Sequence, residues 1–167
     1  MKTFTSASAA KYLKSLQDKK DHLISVERNN CVYQLAPGEE VEPPEYDYEA
    51  MRREIAEIDD QMRAVRHALH VFNANEVLPE SGITIDEALI LLAQLGSEKG
   101  RLSTMRSRQP KERVSGGYFR GESIEYRFTN YDLAKAEKDY LEVSERVSNL
   151  QLELDLCNQT RTFEVDV

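Results

Sequence analysis

The alternation of apolar and charged positions divides the chain into four helical segments. The clearest is the second. Tyr48, Met51, Ile55, Ile58, Met62, Val65, Leu69 and Phe72 follow a 3,4,3,4,3,4,3 spacing, with Arg52, Arg53, Glu54, Glu57, Asp59, Asp60, Arg63 and Arg66 between them. An apolar seam of period 3.5 held over several heptads specifies a coiled-coil or long bundle helix. At 1.5 Å per residue it would run roughly 40 Å. The fourth segment repeats the spacing with Leu133, Ala136, Tyr140, Val143, Val147, Leu150, Leu154 and Cys157. Thr129 precedes Asp132 by three residues there, so a hydroxyl is expected to cap free amides while the acid meets the positive helix end.

The other two segments are less regular. In the first, Tyr12, Leu16, Leu23, Val26 and Tyr33 fit a seam that Lys19 and Asn30 interrupt. The third opens with the capping box Thr84-Ile-Asp-Glu87. Ala88, Leu89, Leu92 and Leu95 continue it, Leu91 widens the apolar face, and the pattern thins to Leu102 and Met105 beyond Gly96 and Gly100. Those two glycines predict a locally loose helix rather than a close backbone approach.

Glycine and proline mark the breaks: Pro37, Gly38, Pro43 and Pro44, then Pro79 and Gly82, then Pro110, Gly116, Gly117 and Gly121. The pattern predicts one mainly α domain over residues 1–167, with helices near 7–33, 46–74, 85–107 and 130–158. The expected architecture is two long antiparallel hairpins forming a four-helix bundle or coiled coil. Within the irregular insert 108–128, Ile124, Tyr126 and Phe128 alternate with polar residues as in a short strand, pairing near Val114 or with a neighbouring chain. The tail alternates similarly through Phe163, Val165 and Val167, and the two strand candidates are candidates to pair with each other.

The order of features resembles a family of small bacterial helical proteins, the septicolysin family, essentially one of unknown function. The resemblance rests on the charged heptad hairpin, the asparagine-bearing turn Phe72-Asn-Ala-Asn75, the TxxEAL start Thr84–Leu89, the irregular insert, and the TxxD-started helix from Thr129. It spans residues 12–162 and implies a cytoplasmic, helical, oligomeric protein. It supplies no catalytic residue.

Composition narrows the classes. Lys+Arg 22 against Asp+Glu 30 gives a net charge of −8, which argues against a globally basic nucleic-acid binder. The longest mainly apolar run, Ala88–Leu95, is far below the roughly 20 residues of a membrane-spanning helix. The first fifteen residues lack the apolar core of a secretory signal. Cys31 and Cys157 are single and far apart, the usage expected of reduced thiols in a cytoplasmic protein.

Candidate chemistry is thin. His67 and His70 are three apart on a helix, but Glu-x-x-His and HExxH are absent, and Asp18, Asp21 and His22 lack ligand spacing. Asp59-Asp60 lies in a run of solvated heptad charges. There is no GxSxG elbow. Gly116-Gly-Tyr-Phe-Arg-Gly121 lacks the GK[ST] ending of a phosphate loop. No catalytic, metal or cofactor site is expected.

Charge placement stands above this background. Lys99, Arg101, Arg106, Arg108, Lys111 and Arg113 face only Glu112 over residues 99–113, a net of +5. Residues 39–60 hold ten acids against Arg52 and Arg53, a net of −8. Opposed segments of this kind orient association. The expectation is a non-enzymatic helical protein that self-associates through its seams as a scaffold or protein-interaction module. The alternative is a polyanion or nucleic-acid binding module that uses the basic stretch with Tyr118, Phe119 and Arg120, where aromatics beside arginines can stack bases.

Overall fold

The computed structural model describes residues 1–114 and 125–167. They form four helices, α1 (Ser6–Asn30), α2 (Tyr48–Asn75), α3 (Ile85–Arg106) and α4 (Leu133–Thr160). Four short strands accompany them: β1 (Lys2–Thr5), β2 (Lys111–Arg113), β3 (Tyr126–Phe128) and β4 (Thr162–Val165). The protein is therefore mainly helical with two small antiparallel strand pairs, and it divides into two compact units.

The first unit comprises residues 1–76 and 156–167. The middle of the α2 seam does what its spacing requires: Ile58, Met62 and Val65 are buried, against Leu16, Tyr12, Leu13 and Leu23 of α1 for the first two, whereas Tyr48 at its start is 57% exposed. Around Val65, which is 0% exposed, Phe4, Ala9 and Val165 complete a second cluster. Lys20 reaches Asp59 at 2.6 Å, Lys19 reaches Glu54 at 2.8 Å, and the Tyr12 hydroxyl donates to Gln61 at 3.3 Å. So Lys19, on the seam by spacing, is a charge partner across the hairpin.

The N-terminus departs from expectation. Residues 2–5 form β1, which pairs antiparallel with β4 in the register Phe4↔Phe163. The tail is a strand as its alternation predicts, but its partner is β1 and not the insert. Phe163 stacks on Phe72 at 5.0 Å and meets Phe4 at 6.3 Å. Thr5 then caps α1 in a reciprocal box with Ser8. The helix stops at Asn30, short of the predicted residue 33, and residues 31–47 form an exposed strap without helix or strand. Phe72–Asn75 belong to the last turn of α2, where the Asn75 side-chain amide donates to the Val71 carbonyl at 2.7 Å. The turn itself begins only at Glu76.

The second unit comprises residues 77–155. The turn between α2 and α3 is pinned by an antiparallel bridge between Val77 and Thr84, by Gly82 at φ +68°, and by fully buried Leu78. The Thr84/Glu87 capping box starts α3 as its sequence predicts. The buried seam of α3 is Ile85, Ala88, Leu95 and Leu102, whereas Leu89 is largely exposed. It does not fail at the glycines. A Cβ at Gly96 or Gly100 would meet nothing within 4 Å, so neither serves a close approach. On α4 every seam residue is buried or half-buried. Its cap is Asp132, whose carboxylate accepts from the Ala134 and Lys135 amides at 2.9 and 3.2 Å. Thr129 instead donates its backbone N–H to the Pro110 carbonyl. The insert strand pairs as β3 with β2, next to Val114, as the alternation of Tyr126 and Phe128 predicts, while Ile124 lies outside the described residues.

Candidate interaction surfaces

The basic run does not form one free patch. Lys99 and Arg106 lie on the α3 seam and turn toward Tyr140 of α4, with the Arg106 guanidinium 3.8 Å and the Lys99 ammonium 6.0 Å from its ring centre. Arg106 also meets Glu137 at 3.1 Å. Arg101 pairs within its own helix with Glu98 at 3.8 Å. Beyond α3, Arg108 lines a hollow of about 320 Å³ with Glu112, Arg127 and Tyr131. Lys111 and Arg113 sit on β2, while Arg120, Tyr118, Phe119 and the Gly116–Gly121 loop lie outside the described residues.

The β2–β3 ribbon sorts its residues by face. Cross-strand partners Lys111↔Phe128 and Arg113↔Tyr126 share one side, and Glu112↔Arg127 the other, because side chains alternate along each strand. Glu112 and Arg127 approach to 3.9 Å, which offsets charge on their face. Among the described residues the opposite face carries Lys111 and Arg113 with no acid, and two open rings: Tyr126 is 47% and Phe128 63% exposed. Lys111 lies 4.1 Å from the Tyr126 ring centre and 5.5 Å from that of Phe128.

The strap has the opposite character. Residues 31–47 contain Glu39, Glu40, Glu42, Glu45 and Asp47 and no lysine or arginine. Val32 and Val41 are 71% and 59% exposed, and Tyr33 and Leu35 are also open to water. Pro37 and Gly38 make a turn, with Gly38 at φ +91° and the Glu39 N–H donating to the Ala36 carbonyl at 3.0 Å. A proline–glycine pair suits these positions because the second needs a left-handed backbone. At the far end the Tyr46 hydroxyl donates to Glu27 of α1 at 2.9 Å. Burial first, and then that carboxylate, pushes the Tyr46 phenol up to about 12.

Within the second unit a groove of about 400 Å³ is lined by Leu102, Ala136 and Val143, with Glu98, Asp139 and Arg146 among its charged residues. Charges of both signs line it, so it presents no single-sign field to a ligand. Among the described residues two carboxylates carry shifted ionisation, and both act as amide acceptors. Desolvation raises Glu153, but the Glu80 and Ser81 amides, at 2.6 and 3.1 Å, bring it below the usual range. Glu87 is lowered by the Thr84 amide and hydroxyl. His22, His67 and His70 are exposed, and among the described residues no group of three His, Cys, Asp or Glu is placed to hold a metal. No described helix is long and apolar enough to cross a membrane.

Sequence reasoning found the basic and acidic segments but missed that the ribbon places Lys111 and Arg113 on one face and Glu112 with Arg127 on the other. Register, set only by the pairing of β2 with β3, decides which residues share a side.

A crystal structure of a functionally unknown conserved protein from Corynebacterium diphtheriae is similar to this chain, with a TM-score of 0.63 over 98% of this chain and 100% of the other. The two sequences are 16% identical, so the likeness is one of fold. No family model and no curated protein matches the chain.

Proposed function

We propose that the protein is a non-enzymatic, self-associating helical scaffold of the cytoplasm, akin to the septicolysin-like proteins it resembles, with its helices arranged as a four-helix bundle. The observation that carries the reading is the strap. Four large apolar side chains, Val32, Tyr33, Leu35 and Val41, are each about half or more exposed on a segment that is open to water along nearly all of its length. Contiguous exposed apolar groups rimmed by charge mark interaction surfaces. The seams are already covered inside the single chain, at Ile58, Met62 and Val65 and again at Val143, Leu150 and Leu154. Association therefore uses exposed segments rather than the heptad seams.

The test is light scattering on a sizing column over a wide concentration range, with absorbance followed at 260 and 280 nm. The chain contains no tryptophan, so bound nucleic acid stands out against a weak protein signal. The expected result is a mass above that of the 19.2 kDa chain that falls on dilution and has a protein-like ratio. A monomer at every concentration, or a raised 260 nm signal that salt removes, overturns the reading.

A further inference from the structure

The two most distinctive exposed features of the chain are complementary. One face of the β2–β3 ribbon offers two open aromatic rings and two cations, with no acid among its described residues. The strap offers an extended, proline-containing segment with acids and no base. We propose that Glu40–Glu45 of one copy docks on the ribbon face formed by Lys111, Arg113, Tyr126 and Phe128 of a second copy. This rests on the self-association reading and names its interface.

The chemistry favours this occupant on three counts. Charge matches: Glu40, Glu42 and Glu45 meet Lys111 and Arg113, whose face includes no acid among the paired strand residues. Opposed charges at an interface rim steer encounter and fix register.

Shape matches as well. Glu42 and Pro43 each precede a proline, which biases both toward extended or polyproline backbone. Such segments bind exposed aromatic surfaces through flat proline rings, with little conformational entropy left to lose. Tyr126 and Phe128, two residues apart on one strand, provide that surface, and Val41 adds an apolar side chain two residues before Pro43.

The docking segment is flanked by a closed turn on one side and a tie to α1 on the other. The Glu39 carboxylate accepts from the Ala36 amide at 3.1 Å across the Pro37–Gly38 turn, and Tyr46 is tied to Glu27. A segment restrained before binding loses less freedom on docking.

Because the strap and the ribbon are different surfaces, each contact pairs unlike patches, and every copy offers one of each. A single-stranded nucleic acid would also suit rings and cations. The chain's net charge of −8 and its own complementary strap favour a second copy.

A charge exchange tests this by sedimentation velocity. Lys111→Glu/Arg113→Glu places acids on the ribbon, and Glu40→Lys/Glu42→Lys places bases on the strap. All four residues are exposed, so helicity by circular dichroism is expected to be unchanged. Each variant alone is expected to lose at least about tenfold in association constant, as like charges meet. Mixed one to one, the two variants regain the wild-type mass, because each strap then finds a ribbon of opposite sign. Tyr126→Ser/Phe128→Ser weakens association on its own, and mixing it with the strap variant restores only the one contact between its wild-type strap and that variant's wild-type ribbon.

Wild-type association that is indifferent to these changes, or a mixture that stays monomeric, overturns the strap–ribbon contact while leaving self-association in place. A wild-type monomer at all concentrations overturns both. Loss of binding to a labelled oligo-dT probe in the ribbon variants, with association unaltered, assigns the face to nucleic acid and overturns the contact.

Discussion

The Arg106 guanidinium lies 3.8 Å from the centre of the Tyr140 ring, and its outer nitrogen reaches Glu137 at 3.1 Å, one helical turn away on α4. A cation in a seam position is thus paired with the one aromatic residue in the middle of the facing seam. Its side chain is about a third exposed, which leaves the contact partly screened.

Arg106→Ala is expected to destabilise the protein by about 1–2 kcal/mol, combining a partly desolvated cation–π contact with a surface ion pair. Tyr140→Leu keeps apolar bulk but removes the ring face. The double variant should lose less than the sum of the two singles, by about 0.5–1 kcal/mol. Urea denaturation of the four proteins measures this coupling. Strict additivity would assign Arg106 to Glu137 alone.

Phe4 connects the two ends of the chain. It is 8% exposed, pairs across the ladder with Phe163, and meets Tyr12 at 5.2 Å. Phe4→Ala is expected to cost about 3–5 kcal/mol, as for other large aromatic truncations in a core. Deleting residues 162–167 should match it in sign, because β1 then loses its only strand partner in the two-stranded sheet. A lowered melting temperature in both, followed by circular dichroism, is the readout. An unaltered melt after the tail deletion would mean that β1–β4 pairing adds nothing.

Helices were legible where periodicity was long. The eight-residue seams of α2 and α4 extend over whole heptads, and the Thr84–Glu87 box marks the start of α3 within a residue. What failed was short or distant. β1 is four residues long with a partner at the other end of the chain, and four residues cannot reveal alternation above chance. Thr129 and Asp132 are both competent caps, and choosing between them depends on the Thr129–Pro110 bond made across the insert. Lys99 and Arg106 thinned the apolar pattern of α3 because their seam role depends on Tyr140, thirty and more residues away. The interaction surfaces were visible as charge runs, but partner and face follow from strand register.

Two isoleucines separate seam from surface. Ile58 is 3% exposed among Leu16 and Met62, whereas Ile90 on α3 is 54% exposed. Ile58→Ala is expected to cost about 2–5 kcal/mol, since a cavity is left in a core that closes poorly. Ile90→Ala should stay within about 0.5 kcal/mol. Ile58→Asp places an unpaired carboxylate in the same cluster and should remove helical signal from α1 and α2. Retained helicity in Ile58→Asp would show that the α2 seam is not the core of the first unit.

Glu153 couples acid stability to the turn before α3. Its carboxylate accepts from the Glu80 and Ser81 amides, and these bonds hold it ionised below the ordinary value of 4.5 despite the desolvation that opposes them. A depressed folded pKa means that the unfolded chain binds the proton first as pH falls. The stabilisation is therefore complete well above pH 4.5 and is lost progressively as pH drops through the folded value. Glu87 at the head of α3 is lowered in the same direction by Thr84, so both contributions fade together. Glu153→Gln retains an acceptor oxygen but not the charge, and should cost at most about 1 kcal/mol at pH 7 because the site is solvent-screened. The wild-type and Glu153→Gln stability curves, followed by urea unfolding at successive pH values, should converge as the pH falls below 4.5. A gap that stays constant through the acid range would mean the amides hold a neutral oxygen as well as an ionised one.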